Sequence, residues 1–92
     1  MNFYLISYDI SNDKRRNNVS KCLENYGTRV QYSVFEVILG EEKFKELYEK
    51  LKKIIDIKKD SIRIYPLCNS CLRKTRIIGE GEITTEIEIY II

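Results

Sequence analysis

The sequence predicts an α+β sandwich, one sheet with two helices packed on it, and three observations point there. Strand-like and helix-like stretches alternate along the chain. The run Phe3 to Ile10, FYLISYDI, is apolar and β-rich on both of its faces, as a strand at the centre of a sheet should be. Two other stretches repeat apolar residues at helical spacing, enough to cover one face of such a sheet.

Alternation along the first strand puts Phe3, Leu5, Ser7 and Asp9 on one side and Tyr4, Ile6, Tyr8 and Ile10 on the other. The polar, basic stretch SNDKRR follows, so Asp9 sits where a buried strand meets a positively charged loop. Asp13 is the expected N-cap of a helix whose face is Val19, Cys22, Leu23 and Tyr26, and Gly27 is its expected C′ stop. The run Thr28 to Leu39 is β-rich with no Gly or Pro, and long for one strand in so small a domain. It reads as one bent strand or as two joined by a corner near Gln31 to Ser33. Glu41 and Glu42 favour the start of a second helix, with Phe44, Leu47, Tyr48, Leu51, Ile54 and Ile55 as its apolar stripe. Asp60 and Ser61 punctuate, SIRIYPL is a strand closed by Pro66, and CNSC is a loop leading to a short strand, Thr75 to Ile78. After GEGE, a final strand is expected from Ile83 to Ile92, ending in EIEIYII.

At 92 residues and 43% hydrophobic content the chain makes one domain, 1–92, with a single core and a marginal buried fraction. Two helices cover one face of the sheet only, so a second copy is the economical cover for the other, implying a symmetric dimer. The terminal segment, 80–92, is suited to add to an edge of the partner's sheet. The net charge of +2 says little, but its distribution says more. Lys58, Lys59, Arg63, Arg73, Lys74 and Arg76 stand against Asp60 alone, and a segment with glutamates and no base follows. No stretch is long or apolar enough to span a membrane, and the N-terminus has no signal-peptide pattern, so a cytoplasmic protein is expected. Three cysteines without an export signal suit reduced thiols.

Histidine is absent, which removes the usual general base, the partner of a serine or cysteine nucleophile, and the usual transition-metal ligand. Hydrolysis would have to run on carboxylates with a hard metal, or on tyrosine, lysine and arginine. Asp9 is either a metal-binding carboxylate at a strand end or a turn-forming aspartate. Its basic neighbours Lys14, Arg15 and Arg16, with Arg29 opening the next β run, favour a phosphate backbone as partner, although Lys14 and Lys21 suit a solvated helix face better. Cys68-Asn69-Ser70-Cys71 has the spacing of half a zinc site or of a redox pair. With only Cys22 besides and no histidine it cannot complete a tetrahedral zinc site within one chain. Small residues in a tight loop are the simpler reading. Of the seven tyrosines, Tyr26 and Tyr48 fit helix stripes, which leaves Tyr8, with Phe35, as the aromatic candidates for function.

YDIS at the end of the first strand, the spaced KRR, the block GTRVQYSVFE and then SIRIYPLCNSCLRK resemble the small CRISPR-associated endoribonuclease family, the lesser of the two proteins shared by CRISPR spacer-acquisition systems. The likeness runs from Asn2 to about Ile78, in order and at the expected spacings. It implies a ferredoxin-like βαββαβ sandwich, here with an extra C-terminal strand or strand pair, in which Thr28 to Leu39 is two strands. It implies a cytoplasmic homodimer in which Asp9 of both subunits faces the seam and binds magnesium, or manganese in its place. Tyr8 and Asp9 match the family's strand-end pair, Arg16 and Arg29 match basic positions implicated in activity, and Phe35 matches the aromatic of SVFE. Some relatives carry a further arginine where this chain has Asn18. The activity implied is cleavage of single-stranded RNA or double-stranded DNA. The partner implied is the CRISPR integrase, whose central dimer such proteins form, and that role does not require the nuclease site. An RNA-cleaving toxin of related fold is a more remote reading.

Overall fold

Strand β1 (Asn2–Asp9) is the central strand expected of FYLISYDI. The computed structural model describes residues 1–84, with β1 followed by α1 (Asp13–Glu24), β2 (Gly27–Gln31), β3 (Val34–Leu39), α2 (Glu41–Ile54), β4 (Ser61–Leu67) and a short α3 (Asn69–Lys74). The sheet order is β2-β3-β1-β4 and every pairing is antiparallel, so the first six elements form a ferredoxin-like βαββαβ sandwich.

Both long helices cover the same face. There Tyr4, Ile6 and Tyr8 of β1 and Phe35, Val37 and Leu39 of β3 pack against Val19 and Leu23 of α1 and Leu47 and Leu51 of α2. Burying each such side chain contributes about 1.5–3 kcal/mol, which makes this layer the main source of stability.

The cap of α1 falls one residue earlier than expected. Asn12 has the extended backbone an N-cap needs and accepts from the Arg15 N–H at 2.9 Å, while the Asp13 carboxylate is taken up by Arg16. Gly27 is not the stop of α1, which ends two residues sooner with Asn25 as its cap. It opens β2 opposite Val37, where a Cβ would overlap the Glu36 carbonyl oxygen and the Val37 side chain. Close approach of backbones, not helix termination, is why glycine stands there.

Thr28 to Leu39 is two strands turning at Tyr32 and Ser33, with a register shift between Arg29 and Gln31. The corner carries no Gly or Pro, and one long-range bond and one local bond hold it. The Ser33 carbonyl accepts from the Tyr8 N–H at 3.1 Å, and the Tyr32 carbonyl accepts from Arg29 Nη1 at 2.6 Å.

CNSC is not a loop. Cys68 caps α3, its sulfur accepting from the Cys71 N–H at 3.4 Å, and the Thr75 hydroxyl donates to the Cys71 carbonyl at 3.0 Å. Nor is Thr75 to Ile78 a strand: the Thr75 N–H closes the helix on the Leu72 carbonyl at 3.1 Å rather than joining a sheet edge. The chain returns to β3, where the Thr84 N–H and hydroxyl donate to Glu36 Oε1 at 3.2 and 2.6 Å. The terminal strand expected to Ile92, with its addition to a partner's sheet, lies beyond Ile83 and Thr84 outside the described residues. Among the described residues, no helix is long and apolar enough to cross a membrane.

Candidate functional site

The strand alternation that sends Tyr4, Ile6 and Tyr8 toward the helices leaves Phe3, Leu5, Ser7 and Asp9 on the other face. Antiparallel pairing with β4 sets Arg63 beside Ser7 and Ser61 beside Asp9, so Arg63 stands diagonally across from Asp9, within the reach of a long side chain. Ser7, Tyr8, Asp9, Ser61 and Arg63 line a shallow cavity of about 230 Å³. Asp9 is exposed, and among the described residues it forms no ion pair.

One carboxylate, two hydroxyls and one guanidinium on an open surface can meet a phosphodiester in two ways. The guanidinium suits a phosphate oxygen pair, and the carboxylate suits a hard cation. Among the described residues no three His, Cys, Asp or Glu side chains cluster as a closed metal cage would need. The donor set fits a divalent ion held by one or two carboxylates and otherwise by water and phosphate. Asp9 supplies one.

The other expected site residues lie behind the strand. Tyr8 is 6% exposed and stacks on Phe35, with centroids 6.4 Å apart; its hydroxyl donates to the Tyr32 carbonyl at 3.4 Å. Phe35 is fully buried, and the Arg29 guanidinium lies 5.1 Å over its ring. Arg29 also donates to the Ser20 hydroxyl and the Tyr32 carbonyl. Arg16 clasps the loop leaving β1: Nη1 donates to the Ile10 and Ser11 carbonyls at 3.2 and 3.4 Å and Nη2 to Asp13 at 2.5 Å. The fold thus brings Tyr8, Arg29 and Phe35 together on the helix side and fastens Arg16 to the loop, with Asp9 on the opposite face.

Two basic and acidic residues take parts that sequence reasoning did not assign. Arg15 is not free for phosphate: its Nε and Nη2 grip Asp60 at 2.7 and 3.2 Å. The Asp60 side chain is fully buried and also accepts from the Asp56 N–H at 2.9 Å. The bond from Arg15, and after it that from Asp56, holds the Asp60 carboxyl below the usual carboxylate range. Ser61 and Arg63 were missed as site residues. Their signal was the alternation of SIRIYPL, which puts Ser61, Arg63 and Tyr65 on one face; their place beside β1 depends on strand order.

The family model of CRISPR associated protein Cas2 matches residues 1–75, which take in every element from β1 to α3. The chain belongs to the Cas2 family. It is 49% identical over 90 residues to a Chloroflexus aurantiacus protein named CRISPR-associated endoribonuclease Cas2 3, covering 98% of this chain and 97% of that one. Among solved structures it is similar to Streptococcus pyogenes Cas2, with 36% identity and a TM-score of 0.74 over 84% of this chain and 99% of that one. It is likewise similar to a chain of a partial Cas6-RT-Cas1–Cas2 complex, with 36% identity and a TM-score of 0.75 over 85% of this chain and 91% of that one. These Cas2 likenesses agree with the ferredoxin-like topology, and the names of the Cas2 relatives support nuclease activity.

Proposed function

We propose that this Cas2-family chain works in CRISPR spacer acquisition as a cytoplasmic homodimer that binds nucleic acid beside the integrase, with Asp9 as ligand to magnesium or manganese at an endonuclease site. The single observation that carries the reading is the exposed Asp9 carboxylate at the end of the central strand, in a cavity shared with Arg63. Two copies meeting on their open sheet faces would supply the second carboxylate that one chain lacks. A bound divalent ion there would lower the pKa of water and neutralise phosphate charge. Arg63 would hold the phosphate, while Tyr8, Arg29 and Phe35 would fix the strand end from behind and Arg16 would fix the loop that follows it. Single-stranded RNA and double-stranded DNA are both proposed substrates; the relatives named endoribonucleases support the first.

A second reading, a non-catalytic DNA scaffold of the integrase, is favoured by one feature. Arg16 and Arg29 already bond internal carbonyls and side chains, so the site has few groups free for chemistry. The Cas1–Cas2 complex neighbour supports an integrase partner under either reading.

The test compares wild type with Asp9→Asn in RNA cleavage, DNA cleavage and spacer integration with the partner integrase. The nuclease reading expects cleavage to fall about 100-fold or more, since the metal's contribution is several kcal/mol. Integration that survives this loss assigns the scaffold role to the dimer. Undiminished cleavage by Asp9→Asn would overturn Asp9 as the metal ligand.

A further inference from the structure

At the junction of β4 and α3, the sulfurs of Cys68 and Cys71 lie 3.3 Å apart, and both residues are exposed. The site is remote from Asp9. Leu67, just before Cys68, pairs with Phe3, whereas Ser61 at the other end of β4 pairs with Asp9, a separation of about 20 Å along the strand. We propose that Cys68 and Cys71 are a redox-active dithiol that closes to an intramolecular disulfide by exchange with an anionic low-molecular-weight disulfide.

The geometry gives the two sulfurs unequal roles. Cys68 receives the Cys71 N–H at 3.4 Å and has the Ser70 hydroxyl at 3.4 Å, so its ionised form is hydrogen-bonded from two sides. Those bonds, the Ser70 hydroxyl first, bring the Cys68 thiol down to about 7, whereas the neighbouring Cys68 sulfur pushes Cys71 up. Cys68 is therefore the attacking thiolate and Cys71 the resolving thiol. Exposed Arg73, Lys74 and Arg76 follow at once, and their charge favours a disulfide bearing carboxylates. Cys22 is partly buried, and burial raises its thiol, so it stands outside the pair.

The exchange balances. The Cys68 thiolate attacks one sulfur of the small disulfide, forming a mixed disulfide and releasing one small thiolate. Cys71 gives up its proton to water or to that thiolate and attacks the Cys68 sulfur. The Cys68–Cys71 bond forms and the second small thiolate leaves, taking its proton from water. The protein loses two electrons, and the small disulfide is reduced to two thiols. Closure ties the end of β4 to the turn that carries Arg73 and Lys74.

The experiment uses the reduced full-length protein in glutathione buffers of graded oxidation, with acid quenching, alkylation of remaining thiols and peptide mass spectrometry. Wild type should yield a Cys68–Cys71 disulfide with Cys22 still alkylated. Cys71→Ser should instead trap one glutathione on Cys68, about tenfold faster than on Cys22, reflecting the larger thiolate fraction at neutral pH. Cys68→Ser should form no disulfide with Cys71 and should not trap glutathione at that faster rate. Failure of wild type to form the bond at any glutathione ratio would overturn the proposal. So would disulfides formed only between copies, or equal trapping rates in the two variants.

Discussion

Tyr8 and Asp9 are adjacent in the chain and lie on opposite faces of the sheet, Tyr8 stacked on Phe35 beneath the helices and Asp9 open to solvent beside Ser61. A sequence pair that reads as one site is in space a core anchor and an exposed surface carboxylate. Tyr8→Phe should therefore leave cleavage unchanged and cost at most about 1 kcal/mol in urea unfolding, the worth of one ordinary hydrogen bond. Abolished cleavage in a folded Tyr8→Phe protein would place the hydroxyl in the chemistry.

Phe35 is fully buried, in contact with the Tyr8 ring and under the Arg29 guanidinium. Phe35→Ala should destabilise by about 3–5 kcal/mol, the usual cost of removing a buried aromatic ring. Urea unfolding measures it, and Phe35→Leu should recover most of the loss with cleavage per folded molecule intact.

Gly27 opens β2 directly opposite Val37 of β3. Gly27→Ala would drive a methyl group into the Glu36 carbonyl and the Val37 side chain, and neither the backbone nor the packed core yields readily. A loss of about 1–3 kcal/mol is expected, as for overpacking elsewhere. Thermal unfolding of Gly27→Ala beside Gly40→Ala, where a Cβ meets nothing within 4 Å, makes the comparison.

The fold was legible wherever a local pattern carried it. The alternation of FYLISYDI marked β1, and the Phe44 to Ile55 stripe marked α2. What was not legible depended on contacts between distant residues. Gly27 looked like a helix stop because its partner Val37 is invisible in sequence, and Asp60 looked like punctuation because Arg15 lies 45 positions away. CNSC looked like a loop because a helix of six residues is too short to display a periodicity. Asp9 could be singled out as a carboxylate at a strand end, but Arg63 could be joined to it only once β4 was known to pair with β1.

Arg15 and Asp60 set an acid limit on stability. The folded-state pKa of Asp60 is depressed, so its contribution is full above the ordinary carboxylate range and is lost as pH falls below about 4 toward the depressed value. Arg15→Gln removes the largest cause of that depression. The stability gap between wild type and Arg15→Gln should be widest near neutral pH and narrow on acidification, as read from urea unfolding at a series of pH values.

Arg73 and Lys74 are exposed on α3, and Arg76 follows them. If they contact phosphates, each should contribute about 0.9 to the slope of log affinity against log salt for duplex DNA. Arg73→Glu with Lys74→Glu should weaken DNA binding and flatten that slope. An unchanged slope would place the basic surface elsewhere on the protein.

The proposed sharing of one divalent cation by two Asp9 carboxylates can be read from manganese binding followed by electron paramagnetic resonance. One tight manganese should bind per two chains, displaced by magnesium and lost in Asp9→Asn. One ion per chain, or binding undiminished in Asp9→Asn, would contradict it.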